Sequence, residues 1–214
     1  MLEKLSFFSN LDNTQLDILT KISSVEQYKE NYILHYEKTT SNKLLFLVDG
    51  LAKSYKIDKH DNEIFLYYIQ KDSMLSELTD LKDDTLTAYS NIMFIKDSKV
   101  LSIEYTDFKK HFLSKNLLSY ELLNEIIKRN TKLETLINRE FIFDAVSKVA
   151  MMINTDLDIV NRLKRHDVAL MLHIQPATLS RVLTRLKKDN LIDINQGKIS
   201  IIDSNNLEII YKEL

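Results

Sequence analysis

Residues 164–188 read Lys-Arg-His-Asp-Val-Ala-Leu-Met-Leu-His-Ile-Gln-Pro-Ala-Thr-Leu-Ser-Arg-Val-Leu-Thr-Arg-Leu-Lys-Lys, and their periodicity decides the fold. Val168, Leu170, Met171 and Leu172 supply an apolar face to a first short helix. Leu179, Val182, Leu183 and Leu186 recur at steps of three and four in a second, as in a helix buried along one side. Pro176, the only proline in the chain, falls where that second helix begins; its missing N–H is no loss there and its fixed φ suits the first turn. Thr178, Ser180, Arg181, Arg185, Lys187 and Lys188 are left on the exposed face.

Charge and the residues that follow extend this reading. From Arg162 to Lys188 there are seven Lys or Arg against one acid, Asp167, in a chain whose net charge is −2. A local basic stripe on a helix–turn–helix is an electrostatic footprint for a phosphate backbone; charge alone fits a solvated helix face equally well. Residues 191–202, Leu-Ile-Asp-Ile-Asn-Gln-Gly-Lys-Ile-Ser-Ile-Ile, then alternate around a glycine turn, the signal of a hairpin. Helix, turn, helix and hairpin in that order make a winged helix-turn-helix.

Residues 164–202 resemble the DNA-binding domain of the Crp/Fnr family of bacterial transcription regulators, through Ala169, Thr178-Leu179-Ser180-Arg181 and Gly197-Lys198. The resemblance implies a recognition helix in the major groove, with Arg181 reading base edges. The DNA-contacting set it points to is Gln175, Thr178, Ser180, Arg181, Arg185, Lys187, Lys188 and Lys198. Two departures stand out. Ala177 replaces the glutamate of most members, removing an acceptor for a cytosine amino group, so the usual family operators are not implied. His173 replaces a turn glycine and must adopt a positive φ, which histidine tolerates better than branched residues do.

Composition bounds the rest. The chain has no cysteine, which excludes disulfides, thiol catalysis and cysteine-ligated iron–sulfur clusters and fits a cytoplasmic protein. No apolar run approaches the roughly 18 residues of a membrane span, and Glu3 and Lys4 interrupt the apolar pattern that a signal peptide would need. No glycine-rich phosphate loop, His-Glu-x-x-His or glycine-flanked serine points to an enzyme. The five histidines are scattered, with no pair at metal-ligand helical spacing.

Residues 1–22 read as an amphipathic helical segment, and about Ser24 to Thr106 as short strands of a β-sandwich or roll. The strand runs include 32–36, 44–48, 64–69, 87–89, 92–95 and 99–103. Gly50 and Gly197, the only two glycines, are both expected at hairpins. Leu44–Gly50 and Asp72–Leu78 resemble the cyclic-nucleotide-binding-type roll that precedes the DNA-binding domain in Crp/Fnr regulators. There the second segment carries Gly-Glu-Leu and then an arginine. Glu77 and Leu78 remain here, but the glycine is Ser76, the arginine position falls at Thr85 or Leu86, and residues 1–112 contain no arginine. A cyclic phosphate needs a cation and converging N–H groups, so cyclic AMP is not expected, and Glu77 reads as a plain loop carboxylate.

A helix from about Asn116 to Arg139 follows. Leu123, Ile126, Asn130, Leu133 and Ile137 fit a two-stranded seam, in which a buried Asn130 would select a dimer and a register. Leu117, Leu118, Leu122, Ile127 and Leu136 form a second flank expected to pack on the roll. Phe141 to Asp144 is the natural hinge, with Asp144 capping a helix over 145–154, and Ser204–Tyr211 reads as a closing helix.

The expected architecture is therefore α+β. It has a β-roll sensor with its N-terminal helix at 1–112, a central dimerisation helix at 113–140 and a winged helix-turn-helix at 141–214. The expected function is a cytoplasmic, homodimeric regulator bound to double-stranded DNA at a palindromic operator, and to RNA polymerase if it activates; the resemblance implies a signal received by the β-roll, not cyclic AMP, with nitrosative, oxygen or redox stress as candidates. No cofactor is predicted. The resemblance leaves open a haem-dependent gas sensor with His35 or His111 as ligand, or a ligand- or protein-binding module whose winged domain no longer holds DNA.

Overall fold

A computed structural model describes residues 5–78 and 80–212; Glu3 and Lys4 lie outside them. Among these residues, α1 spans Asn13–Lys21, then β1 Ser23–Tyr28, β2 Ile33–His35, β3 Thr40–Ser41, β4 Lys43–Asp49, β5 Leu51–Ile57, β6 Glu63–Gln70, β7 Ser73–Met74, β8 Leu86–Thr87, β9 Asn91–Phe94 and β10 Ser98–Glu104. Next come α2 (Tyr105–His111), α3 (Ser119–Ile137), a π-helical turn (Asn138–Ile142), α4 (Ala145–Arg162), α5 (Arg165–Met171), α6 (Pro176–Lys188), β11 (Ile192–Asn195), β12 (Lys198–Ile201) and α7 (Ser204–Lys212). The fold is α+β, and the chain divides into two compact units between Lys132 and Leu133.

The first unit is a roll of two antiparallel four-stranded sheets, ordered β1-β10-β4-β7 and β2-β9-β5-β6, with a small β3-β8 pair. The unbroken apolar run of β4 follows from its position between two layers. Leu44 and Phe46 join Phe7, Phe8, Leu19, Phe108 and Leu122 on the helical side. Leu47 turns the other way, to Ile69, Ile92, Phe94 and Val100 between the sheets. A strand covered on both faces has no reason to alternate with polar residues.

Local chemistry modifies three expectations. The N-terminal segment is two pieces, a 3₁₀ turn at Ser6–Phe8 and α1, because Asp12 starts α1 with a reciprocal capping box to Gln15. Gly50 lies at a corner between sheets instead of a hairpin, since β4 and β5 pair with different partners. Its φ is +116°, and a Cβ there would lie 2.8 Å from the Ser98 Cα, so both conformation and close approach require glycine. The helix begun by Asp144 runs on to Arg162, with non-helical angles at Asp156.

In the second unit, α4 to α7 and the wing enclose a core of Val149, Ile153, Val160, Val168, Leu172, Leu179, Leu183 and Leu207. The first helix of the motif buries Val168, Ala169 and Met171, but Leu170, expected on its apolar face, is 59% exposed. With only seven residues, α5 covers the core with a narrow stripe, and Leu170 falls outside it.

Candidate nucleic-acid interface

Helix α6 starts at Pro176 and buries Leu179, Val182, Leu183 and Leu186. Side chains spaced by three and four share a helix face, so the opposite line is Ala177, Arg181, Thr184 and Lys188, all exposed. Thr184 completes a line whose spacing was legible in the sequence and was missed there. Arg181 lies along its own helix, its Nη2 3.3 Å from the Thr178 hydroxyl and its Nε 3.4 Å from the Ala177 carbonyl. The Ser180 hydroxyl donates to the Pro176 carbonyl at 3.1 Å and keeps its lone pairs outward. Gln175 is the exposed N-cap residue and makes no side-chain cap. Arg185 stands 3.7 Å from Asp189, an exposed pair of little energetic weight.

Lys187, expected to face phosphates, is exposed and also reaches the wing. Its ammonium lies 2.9 Å from Asp193 and donates to the Ile194 carbonyl at 3.2 Å, tying α6 to the wing. Lys198 is exposed on the wing, whose two-residue turn has positive φ at both Gln196 and Gly197, the combination that matches the twist of a tight hairpin. Two side chains invisible to motif reading hold the wing. Asn161 of α4 clamps β12 with a pair of bonds, from its amide to the Ile199 carbonyl (2.8 Å) and from the Ile199 N–H to its oxygen (2.7 Å). Arg165 donates to the Gly197 carbonyl at 2.7 Å.

Along α3, Leu123, Ile126, Leu133 and Ile137 are 52, 46, 38 and 52% exposed, and Asn130 is exposed on the same line. Leu118 and Leu122 pack into the roll. Ile127, expected beside them, is 53% exposed and turns toward the seam residues, because it follows Leu123 by four positions. Phe141 lies in the π-helical turn and is 84% exposed. Asp144 accepts the Ser147 N–H at 2.8 Å, which holds its carboxyl below the ordinary range.

The roll's Glu77 is not a solvent-facing loop carboxylate. It is 4% exposed and pairs with Arg129 from α3. It also accepts the Tyr89 N–H and the Ser90 hydroxyl, and Ser90 in turn accepts the Ser54 hydroxyl at 2.8 Å. The sequence signal was present in part, since Arg129 is the first arginine of the chain; sequence separation hid the partnership. His35, Lys43, Ser76, Glu77, Leu86 and Thr87 line a half-open cleft with about 30 Å³ of room for water. Leu86 belongs to the apolar core. Burial lowers the pKa of His35, against the pull of Glu77, and its Nε2 has no hydrogen-bond partner among the described residues. Among the described residues there is no cluster of three or more His, Asp or Glu able to hold a metal ion, and no helix long and apolar enough to cross a membrane.

Residues 148–210 match the Crp-like helix-turn-helix domain family. Comparison with curated proteins gives no match. Among solved structures, a variant of CooA from Carboxydothermus hydrogenoformans is similar at TM-score 0.76 and 16% identity, over 98% of this chain and 96% of that one. FixK2 from Bradyrhizobium japonicum aligns at TM-score 0.69 and 14% identity, over 88% and 97%. A transcriptional regulator of the Crp/Fnr family from Eubacterium rectale aligns at 0.66 and 17%, over 98% and 99%. The C-terminal unit is thus a Crp-like winged helix-turn-helix domain. The chain as a whole has the fold of a Crp/Fnr-type transcription regulator, with a cyclic-nucleotide-binding-like roll at its N-terminal end.

Proposed function

We propose that the chain is a cytoplasmic, homodimeric, sequence-specific DNA-binding regulator rather than an enzyme. The observation that carries this reading is α6 itself: a fully buried apolar line is backed by the exposed Arg181, Thr184 and Lys188, inside a domain of the Crp-like type. Arg181 reads base edges, with Thr178, Ser180 and Gln175 at the start of the helix beside it. Lys188, Arg185 and Lys198 take phosphates, and Lys187 braces the wing.

Pairing follows from α3. Its exposed line of Leu123, Ile126, Asn130, Leu133 and Ile137 has the spacing of a two-stranded seam. A homodimer of this kind reads two half-sites one DNA turn apart, roughly 34–36 Å, which calls for a palindromic operator. In this scheme residues 1–112 receive a signal, 113–140 pair the subunits and 141–214 bind DNA, with Phe141–Asp144 as the hinge. The absence of any arginine from residues 1–112 argues that the signal is something other than a cyclic nucleotide. RNA polymerase is a partner if the regulator activates.

Selection of bound duplexes from a random pool tests the reading. A palindromic consensus is expected, together with a dimer in sedimentation equilibrium and a steep affinity loss between about 50 and 200 mM salt. Recovery of unselected sequences, or affinity flat with salt, overturns it.

A further inference from the structure

The turn between α5 and α6 contains a histidine in the left-handed region, His173, with φ +50°. It closes a Schellman motif: the His173 N–H bonds the Leu170 carbonyl at 3.0 Å, and the Ile174 N–H bonds the Ala169 carbonyl at 3.1 Å. Such a position favours glycine, because a Cβ crowds the neighbouring carbonyl there. The same motif at the end of α6 uses the common substitute, Asn190, at φ +57°. A bulkier left-handed residue persists where its surroundings over-determine it, and here the ring has a partner. His173 Nδ1 lies 2.7 Å from Glu140 Oε2, in the π-helical turn. The other Glu140 oxygen accepts the Nε–H of Arg139 at 2.8 Å, and Arg139 is buried. Burial would raise the Glu140 pKa, but the bonds from Arg139 and His173 outweigh it and hold the carboxyl below its ordinary value. A second tether comes from α4, where the Lys148 ammonium donates to the Leu172 carbonyl at 3.5 Å.

We propose that the Glu140–His173 contact is a positioning clasp, which sets the start of α6 against the π-helical turn and so governs the angle at which Arg181 and its neighbours meet DNA. It rests on the DNA-binding reading above, and His173 itself acts through α6. A change at Asn138–Ile142 is then felt at Gln175 and Thr178 with no alteration of α6's own residues.

The test uses the full-length chain and the duplex selected above. His173→Gly suits the left-handed backbone, so it removes the ring without threatening the fold; Glu140→Gln removes the charge from the other side. Each is expected to weaken the selected duplex about tenfold, the scale of one hydrogen bond to a charged group. The melting temperature of His173→Gly should hold or rise, and the double variant should lose no more than either single one, because both break the same link. Amide exchange at residues 173–175, 177 and 178 should quicken in both variants, and the His173 Nδ1 resonance should move in Glu140→Gln. Wild-type affinity in His173→Gly, or additive losses in the double variant, overturns the proposal. If the wild-type chain binds no duplex, the functional reading fails by itself; unchanged exchange and an unmoved ring resonance then overturn the clasp, and quickened exchange with a shifted resonance supports it.

Discussion

In the winged unit, Arg181, Thr184 and Lys188 stand on the solvent side of α6 above a line of buried leucines and valine. In the roll, Glu77, Ser90 and Ser54 stand inside, in a chain of hydrogen bonds that ends on Arg129. Polar groups held outward by a packed helix remain available to a partner. Polar groups turned inward have exchanged water for one another, and their value lies in the element they fix, here α3. One unit therefore offers a surface, and the other offers a buried link whose loss is felt as stability.

The largest expected effect breaks that link. Glu77→Ala leaves the Tyr89 N–H and the Arg129 guanidinium without their acceptor. It should cost about 3 kcal/mol, the lower part of the range for a broken buried pair because Arg129 is partly exposed. Urea unfolding followed by roll-specific tyrosine signals measures it, and replacing Glu77 and Arg129 together by methionine should recover only the part due to the unpaired guanidinium, since the Tyr89 N–H still lacks its acceptor. A single variant as stable as wild type would mean that the inner network contributes nothing. On the outward side, Arg181→Ala should cost about 1–3 kcal/mol at the preferred duplex and flatten sequence preference while leaving the melting temperature alone. Equal losses on selected and random duplexes would contradict a base-reading role.

Lys188→Ala should weaken all duplexes alike and lower the salt slope by about 1. Lys187→Ala, whose ammonium is already held by Asp193 and Ile194, should change that slope much less. The smallest effect is one of pH. Burial lowers the His35 pKa, so the unfolded chain takes up its proton first as pH falls. Roll stability should therefore decline below about pH 6.5 and level off once the folded ring also titrates. His35→Gln should flatten the decline between pH 7.5 and 5.5 in urea titrations.

The winged unit was largely legible because its signals are local. Pro176, the three-and-four spacing of Leu179 to Leu186 and the Gly197 turn each act within a few residues, whereas the left-handed His173 was expected only from the family resemblance, where a glycine fills that turn. The roll was legible as strands and blurred in detail. Gly50 looked like a hairpin glycine because nothing nearby reveals that β4 and β5 belong to different sheets. Ile127 and Leu170 were misplaced because short apolar stretches do not say how wide a stripe the core will cover. The tie from Lys187 to Asp193 was out of sight because Asp193 lies on the next element.

By itself the sequence determined the order of elements, the buried line of α6 and the absence of thiol chemistry, since these depend on residue type and on periods of two and 3.6. Tertiary structure alone decided which charges are spent. Glu77 meets Arg129 across 52 positions, Glu140 meets His173 across 33, and Asn161 reaches Ile199 across 38. Each bond joins ordinary groups, side chain to side chain or side chain to backbone, and only the packing of the chain brings those ends within reach of one another.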